Sequence, residues 1–197
     1  MKQIMSKRKK MFRAIILVLV VFASLSCKAK IDEPKIMDLI ITNNEQNVLL
    51  YARLVQGFKT DMESAIMAGV PKEFVLHVKV YEERARMWDK KIRSRKIKRT
   101  IQYDNLKETF IVTTNGNAQP VVSSDLQEAK KAMQDFDGII ITPITALETN
   151  KNYYLKVKIV MEKFKIPLIF ERMLLFVSYL DYATDWYKQK FILKPAS

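Results

Sequence analysis

Cysteine, histidine and glycine are scarce in this chain, and each scarcity removes a class of protein. The 197 residues include one cysteine, Cys27, and one histidine, His77. A single cysteine cannot form a disulfide within the chain, and structural zinc, which needs several cysteine or histidine ligands, is excluded. Only 4 glycines and 6 prolines are present, which argues against low-complexity linkers and leaves no glycine-rich phosphate loop.

The acidic residues do not form a recognisable catalytic or metal-binding pattern. The fragment Asp135-Phe136-Asp137-Gly138 resembles the start of an EF-hand loop, but Ala146 occupies the twelfth position, where a calcium site needs glutamate. Glu82 and Glu83 are adjacent on an extended segment and therefore point to opposite faces, so they cannot act on one substrate. We predict a protein that is not an enzyme and that binds no cofactor and no metal.

The N-terminus has the pattern of a secretion signal. Residues 1–13 contain six basic residues and no acid, and residues 14–25 read AIILVLVVFASL. A basic region before a short apolar run is typical of a secretory signal, and a membrane-spanning helix usually needs about 20 apolar residues. The sequence Ser24-Leu25-Ser26-Cys27 resembles a bacterial lipobox, although its leucine lies two residues before the cysteine instead of three. Three outcomes stay open: lipidation of Cys27, cleavage at another bond, and retention of the segment.

The predicted organisation is a single exported domain behind this segment. Residues 1–27 form the signal peptide, lipoprotein signal or membrane anchor, and residues 28–35 form a polar tether. Residues 36–193 form one domain, and residues 194–197 form a short tail. The basic flank predicts that the domain lies on the non-cytoplasmic side, in the cell envelope or periplasm, attached to a membrane.

The hydropathy pattern of the domain is mostly that of β-strands. Apolar or alternating segments of strand length occur at residues 36–42, 48–55, 74–80, 97–103, 109–114, 139–141, 153–161 and 186–193. His77 lies beside Lys79 on the polar side of its strand, and we interpret it as an ordinary surface histidine. Residues 168–180 are apolar on both faces and fit either a strand or a buried helix.

Two short helices are predicted between the strands. The first begins with the capping box Thr60-Asp61-Met62-Glu63 and ends at Gly69. The second begins with the capping box Ser124-Asp125-Leu126-Gln127, runs to about Asp135 and is broken by Gly138. Its inner stripe consists of Leu126, Ala129, Met133 and Phe136. The fold class is therefore α+β and β-rich: a mostly antiparallel, sandwich-like sheet with two short covering helices.

Positive charge is concentrated in one stretch. From Cys27 onward there are 28 basic and 21 acidic residues, yet residues 84–99 alone hold nine basic residues against the single acid Asp89. The nine are Arg84, Arg86, Lys90, Lys91, Arg93, Arg95, Lys96, Lys98 and Arg99. We interpret them as a basic loop that contacts an anionic surface or a partner protein. The alternatives are lysines that guard a sheet edge from aggregation, or nucleic acid, although an exported protein meets anionic lipids or acidic polymers first.

Three short motifs carry a resemblance to a known family. They are Ala68-Gly69-Val70-Pro71 before a strand, Trp88-Asp89 inside the basic stretch, and Thr184-Asp185-Trp186-Tyr187 near the end. In order and spacing, residues 36–193 resemble the bacterial domain of unknown function 4390 family, whose members are small exported or membrane-attached proteins. That family has no established activity, so the resemblance implies no functional residues.

These observations predict a non-enzymatic protein of the cell envelope. The expected function is that of a membrane-tethered binding module that contacts a partner protein or an anionic surface through the basic stretch. The alternative is a carrier of lipid or another small ligand, with an apolar pocket inside the β-sandwich.

Overall fold

The computed structural model describes residues 33–115, 119–162 and 182–193, which form ten strands, two α-helices and one 3-10 turn. The strands are β1 (Lys35–Asn43), β2 (Asn47–Val55), β3 (Lys72–Glu82), β4 (Lys90–Asp104), β5 (Thr109–Thr114), β6 (Val121–Ser123), β7 (Asp135–Pro143), β8 (Asn152–Glu162), β9 (Tyr182–Ala183) and β10 (Tyr187–Ile192). The helices are α1 (Thr60–Met67) and α2 (Leu126–Gln134), and the 3-10 turn is Ile144–Ala146.

Two antiparallel sheets make up the domain. The small sheet has the order β1-β2-β7, and the large sheet has the order β10-β8-β3-β4-β5-β6, with β9 also paired to β8. Every pairing in both sheets is antiparallel. The predicted α+β, β-rich class with two short helices is confirmed.

The hydrophobic core lies on one side of the large sheet. Residues of β3 and β8 alternate between the core and the opposite side, and Leu76 and Val78 of β3 belong to the same buried cluster as Leu50 of the small sheet's central strand. Ile66 of α1 and Met133 of α2 belong to the same core. Among the described elements, both helices and the small sheet therefore pack on this inner side, and none packs on the outer side of the large sheet.

Backbone interactions define the C-terminal end of the first helix, and no side-chain bond caps its N-terminal end. Its N-cap is Lys59, which makes no side-chain capping bond, so the predicted capping box at Thr60 is wrong. Gly69 has a φ of +81°, and the N–H groups of Gly69 and Val70 donate to the carbonyls of Ile66 and Ala65. This is a Schellman motif, and the glycine end that the sequence predicts is confirmed.

The second helix is confirmed with a different cap and a different end. The N-cap is Asp125, whose carboxylate accepts a bond from the Gln127 N–H at 2.9 Å. The helix passes directly into β7 at Asp135. Gly138, with a φ of +62°, lies inside that strand at an irregularity in its pairing with β2 and does not break a helix. Positive φ in a paired strand is the conformation of a β-bulge, in which glycine meets no steric cost.

The predicted basic loop is mostly strand. The loop between β3 and β4 covers only residues 83–89, and seven of the nine basic residues lie in β4. Charged residues at nearly every position obscured an alternation that the backbone pairing with β3 imposes.

Several predictions concern residues outside the described ranges. These are the N-terminal signal with Cys27, most of the tether, residues 168–180 and the tail at 194–197. Within the described ranges, no helix has the length and hydropathy needed to cross a bilayer.

Candidate contact surface

Strand β4 distributes its basic residues between two sides of the large sheet. The register with β3 shifts between Val80 and Tyr81, so Ile92 is an extra residue in β4. Three basic residues of β4, namely Lys91, Lys96 and Lys98, lie on the outer side, because they pair with the outward residues Tyr81, His77 and Val75. The other four basic residues of β4, namely Lys90, Arg93, Arg95 and Arg99, lie on the inner side.

Arg99 is not available for contact with a partner. Its side chain is covered by α2, and the residue is only 9% exposed. Its Nη1 donates to the carbonyl oxygens of Ala132 and Asp135, each at 2.6 Å, and its guanidinium lies 4.3 Å from the ring centroid of Phe136. Burial lowers the pKa of this guanidinium, and the carboxylates of Asp137 and Asp135 partly offset the effect. Assigning Arg99 to a contact patch is therefore wrong.

The remaining inner-side arginines lie near the rim of the core. Arg95 donates to the backbone carbonyl of Ile140 and so joins the large sheet to β7 of the small sheet. Arg93 is exposed. The nine basic residues therefore do not form one patch: two lie in the loop, four face inward and three face outward.

Outward lysines of other strands complete a larger surface. Lys156 of β8 is directly opposite both Lys79 of β3 and Lys188 of β10. One step along the sheet, His77 of β3 lies between Lys96 of β4 and Lys158 of β8. Directly opposite residues on antiparallel strands have Cβ atoms about 4.5–5.5 Å apart. Sheet pairing therefore brings together lysines that are far apart in the sequence.

Two of the outward lysines form ion pairs with glutamates of the described residues. Lys98 pairs with Glu73, and Lys190 pairs with Glu83 at 2.9 Å. Six outward lysines have no carboxylate of the described residues within ion-pair distance, and we call these six the lysine face. They are Lys79, Lys91, Lys96, Lys156, Lys158 and Lys188.

Aromatic rings lie between the lysines. The rings of Tyr81 and Tyr154 stack with centroids 5.1 Å apart. The Lys188 ammonium lies 3.9 Å from the Tyr154 centroid, and the Lys79 ammonium lies 4.5 Å from that of Trp186. These cation–π contacts hold the side chains in place without neutralising their charge.

The 83–89 loop is attached to the same side of the sheet. The Tyr154 hydroxyl donates to Asp89 Oδ2 at 2.7 Å, and the Arg84 N–H donates to Asp89 Oδ1 at 3.1 Å. These two bonds, together with the charges of Lys188 and Lys156, lower the pKa of Asp89. Burial and the bond to Asp89 raise the pKa of Tyr154 to about 12. Asp89 therefore attaches the loop to the sheet, and its two carboxylate oxygens accept hydrogen bonds from a hydroxyl and a backbone N–H.

Glu82 supports the base of the loop. Burial by itself would raise the pKa of its carboxyl, but the bond to Lys151 and the charges of Lys151 and Arg84 lower it overall. Its Oε1 lies 3.3 Å from Lys151 Nζ and 3.4 Å from Arg84 Nε.

Where the chain is described, no cluster of three or more side chains suited to a metal ion is found. The described residues therefore offer a positively charged outer side of the large sheet and a loop that is anchored to it.

The sequence predicts which side of a strand each of several lysines occupies, but it does not predict which strands are neighbours. Alternation within β3 and β8 places Lys79, Lys156 and Lys158 on the polar sides of their strands. Only the strand order shows that these sides are one surface. The two tryptophans of the chain, Trp88 and Trp186, belong to two of the three motifs that carry the family resemblance, and both lie beside it.

Comparison with known proteins gives a family and no activity. No curated protein and no solved structure matches the chain significantly. Residues 32–190 match the family described as a domain of unknown function, DUF4390. Because this match covers most of the sequence, the chain belongs to the DUF4390 family.

Proposed function

We propose that this protein is a non-catalytic binding module of the cell envelope that contacts a polyanionic surface or partner through its lysine face. The N-terminal segment would hold it at a membrane. The observation that carries the proposal is the direct opposition of Lys79, Lys156 and Lys188 on three neighbouring strands. Like charges placed opposite each other in a sheet destabilise the fold. A bound polyanion would convert this repulsion into attraction.

Protection of a sheet edge does not account for the same residues. Strand β5 pairs with β4 only from Arg99 to Asp104, so the first half of β4 is an edge among the described strands, and its charges could guard that edge. Strands β3 and β8, in contrast, are each paired on both sides. Lys79 and Lys156 lie on these interior strands, where there is no edge to protect. The carrier alternative requires a ligand in the interior of the sandwich and stays a prediction.

Neutralising the lysine face tests the proposal. The variant replaces Lys79, Lys96, Lys156 and Lys158 with glutamine in the full chain, purified in mild detergent. On immobilised heparin, used as a generic polyanion, the wild-type chain should elute at distinctly higher salt than this variant. Exposed charges are screened over about 8 Å at physiological ionic strength, so salt competes directly with the contact. The variant should be as stable as the wild type or slightly more stable, because repulsion is removed.

A matched control separates the face from total charge. Replacing Lys35, Lys72, Lys107 and Lys131 with glutamine removes the same number of charges from other parts of the described surface. This control should elute close to the wild type. If both variants shift equally, binding depends only on net charge, and the assignment of function to the lysine face is wrong.

A further inference from the structure

The loop beside the lysine face exposes two large apolar side chains. Met87 is 71% exposed and Trp88 is 95% exposed. Single exposed apolar residues are common on proteins, but these two are adjacent in the second half of the seven-residue connection between β3 and β4. Tryptophan, with an apolar body and one N–H donor, is enriched where hydrocarbon meets water at a membrane surface.

Bonds at both ends of the 83–89 loop attach it to the large sheet. At one end of the loop, both carboxylate oxygens of Glu83 accept a hydrogen bond from Lys190 Nζ of β10, each at 2.9 Å. At the other end, Asp89 accepts the hydroxyl of Tyr154 of β8. Trp88 is therefore one residue from a point fixed to the outer side of the large sheet. Arg84 and Arg86 belong to the same loop and add positive charge next to the apolar pair.

We propose that the lysine face docks on an anionic lipid bilayer and that Met87 and Trp88 insert at the level of the lipid head groups. This inference rests on the proposed function and names the partner class. Basic residues beside a tryptophan-containing apolar element are the combination that binds peripheral proteins to anionic membranes. The outward residues of β3, β4, β8 and β10 carry their positive charge on lysines, the arginines on this side being confined to the loop, and lysine is depleted at protein–protein interfaces. Lipid phosphates therefore suit this surface better than a folded acidic protein does.

Fluorescence of Trp88 tests the insertion directly. The chain has 2 tryptophans, so Trp186→Phe leaves Trp88 as the only emitter and keeps an aromatic ring beside Lys79. The full chain is reconstituted into nanodiscs of phosphatidylcholine, either alone or with about 30% phosphatidylglycerol, which supplies a negative surface potential. The N-terminal segment is present in both preparations, so a difference between them reports the response to lipid charge.

The expected result is a shift of Trp88 emission to shorter wavelength only in the anionic nanodiscs. Lipids brominated near the head group should quench this emission there and leave it nearly unchanged in neutral nanodiscs. The effect should disappear in about 0.5 M salt, where screening is strong, and in the variant with four glutamines on the lysine face. Trp88→Ser, with Trp186 retained, should weaken binding of free anionic vesicles about tenfold, the factor that corresponds to 1.4 kcal/mol.

Two results would overturn the inference and are distinguishable from failure of the proposed function. Trp88 emission that is identical in neutral and anionic nanodiscs, while heparin still binds the lysine face, would mean that the surface recognises another polyanion. Quenching of Trp88 that is equal in both nanodiscs would mean that the loop does not respond to lipid charge. Loss of the heparin effect would overturn the proposed function itself.

Discussion

The guanidinium of Arg99 lies beneath helix α2, where it donates to two backbone carbonyl oxygens at the C-terminal end of the helix. Buried carbonyl groups without a donor are costly, and hydrogen bonds from a charged group contribute about 1.5–3 kcal/mol. Arg93 lies on the same side of the same strand but is exposed. Identical side chains in one strand therefore have different roles, and burial decides which.

Replacing Arg99 should be far more costly than replacing Arg93. Arg99→Ala removes the donor to Ala132 and Asp135 and should lower the free energy of unfolding by about 3 kcal/mol. Arg93→Ala should change it by less than about 0.5 kcal/mol. Urea unfolding followed by circular dichroism measures both. Similar losses for the two variants would mean that Arg99 does not hold α2 to β4.

The hydrogen bond between Tyr154 and Asp89 predicts how the stability of the fold depends on pH. Tyr154→Phe removes the main cause that lowers the pKa of Asp89, so that pKa should rise towards its ordinary value of 3.8. A carboxyl whose pKa is lowered by folding stabilises the fold above its unfolded pKa, and this contribution is lost as the pH falls through the lower, folded value. The difference in stability between wild type and variant should therefore be present at pH 7 and vanish in acid.

Carboxyl-carbon NMR titration of Asp89 provides the measurement. Tyr81→Phe is the matched control, because the Tyr81 ring stacks on Tyr154 while its hydroxyl makes no contact with Asp89. The control should leave the pKa of Asp89 where it is in the wild-type chain. An unchanged pKa in Tyr154→Phe would contradict the assigned hydrogen bond.

At the scale of elements, the sequence predicted strands with clear alternation and failed where charge obscured it. Strands β1, β2, β3, β8 and β10 were recognisable, because apolar and polar residues alternate or because the run is apolar throughout. In β4, basic residues occupy both faces up to Arg99, so the pattern resembled a loop. Alternation places Lys79, Lys156 and Lys158 on the polar sides of their strands, but the pairing of β3 with β8 joins residues about 80 positions apart, and no local pattern encodes it.

Helix α2 gives a direct test of an assignment made from spacing alone. Ala129 and Met133 are buried in the core, as the predicted inner stripe requires, whereas Phe136, assigned to the same stripe, lies in β7. Met133→Asp places an unpaired charge there and should cost about 4 kcal/mol or more. Gln127→Asp, on the exposed side of the same helix, should stay within about 0.5 kcal/mol. Lys130 is unsuitable as an exposed control, because it pairs with Glu63 of α1.

Thermal melts of the two aspartate variants decide this prediction. The melting temperature of Met133→Asp should fall by many degrees, and that of Gln127→Asp should stay close to the wild type. Equal melting temperatures would mean that the inner side of α2 does not contribute to the core.

At the scale of the whole molecule, the domain is asymmetric. Among the described elements, the small sheet and both helices cover one side of the large sheet, and the other side carries the lysine face. A surface of this kind gains little affinity from each charge, since one lysine near an anionic membrane contributes about 1 kcal/mol. Weak, additive contacts become effective when the molecule is already held close to its target, because tethering raises the effective concentration. The proposed contact therefore has most consequence if the N-terminal segment attaches the chain to a membrane.

Lipidation of Cys27 is the form of attachment that can be tested with one substitution. The cysteine directly follows the apolar run at residues 14–25 and the lipobox-like residues Ser24–Ser26, and it lies outside the part of the chain that the structure describes. Cells grown with an alkyne fatty acid should label the wild-type chain and leave Cys27→Ser unlabelled. If Cys27 carries lipid, the lysine face would supply a second contact beside that anchor. Equal labelling of the two chains, or labelling of neither, would show that Cys27 carries no lipid.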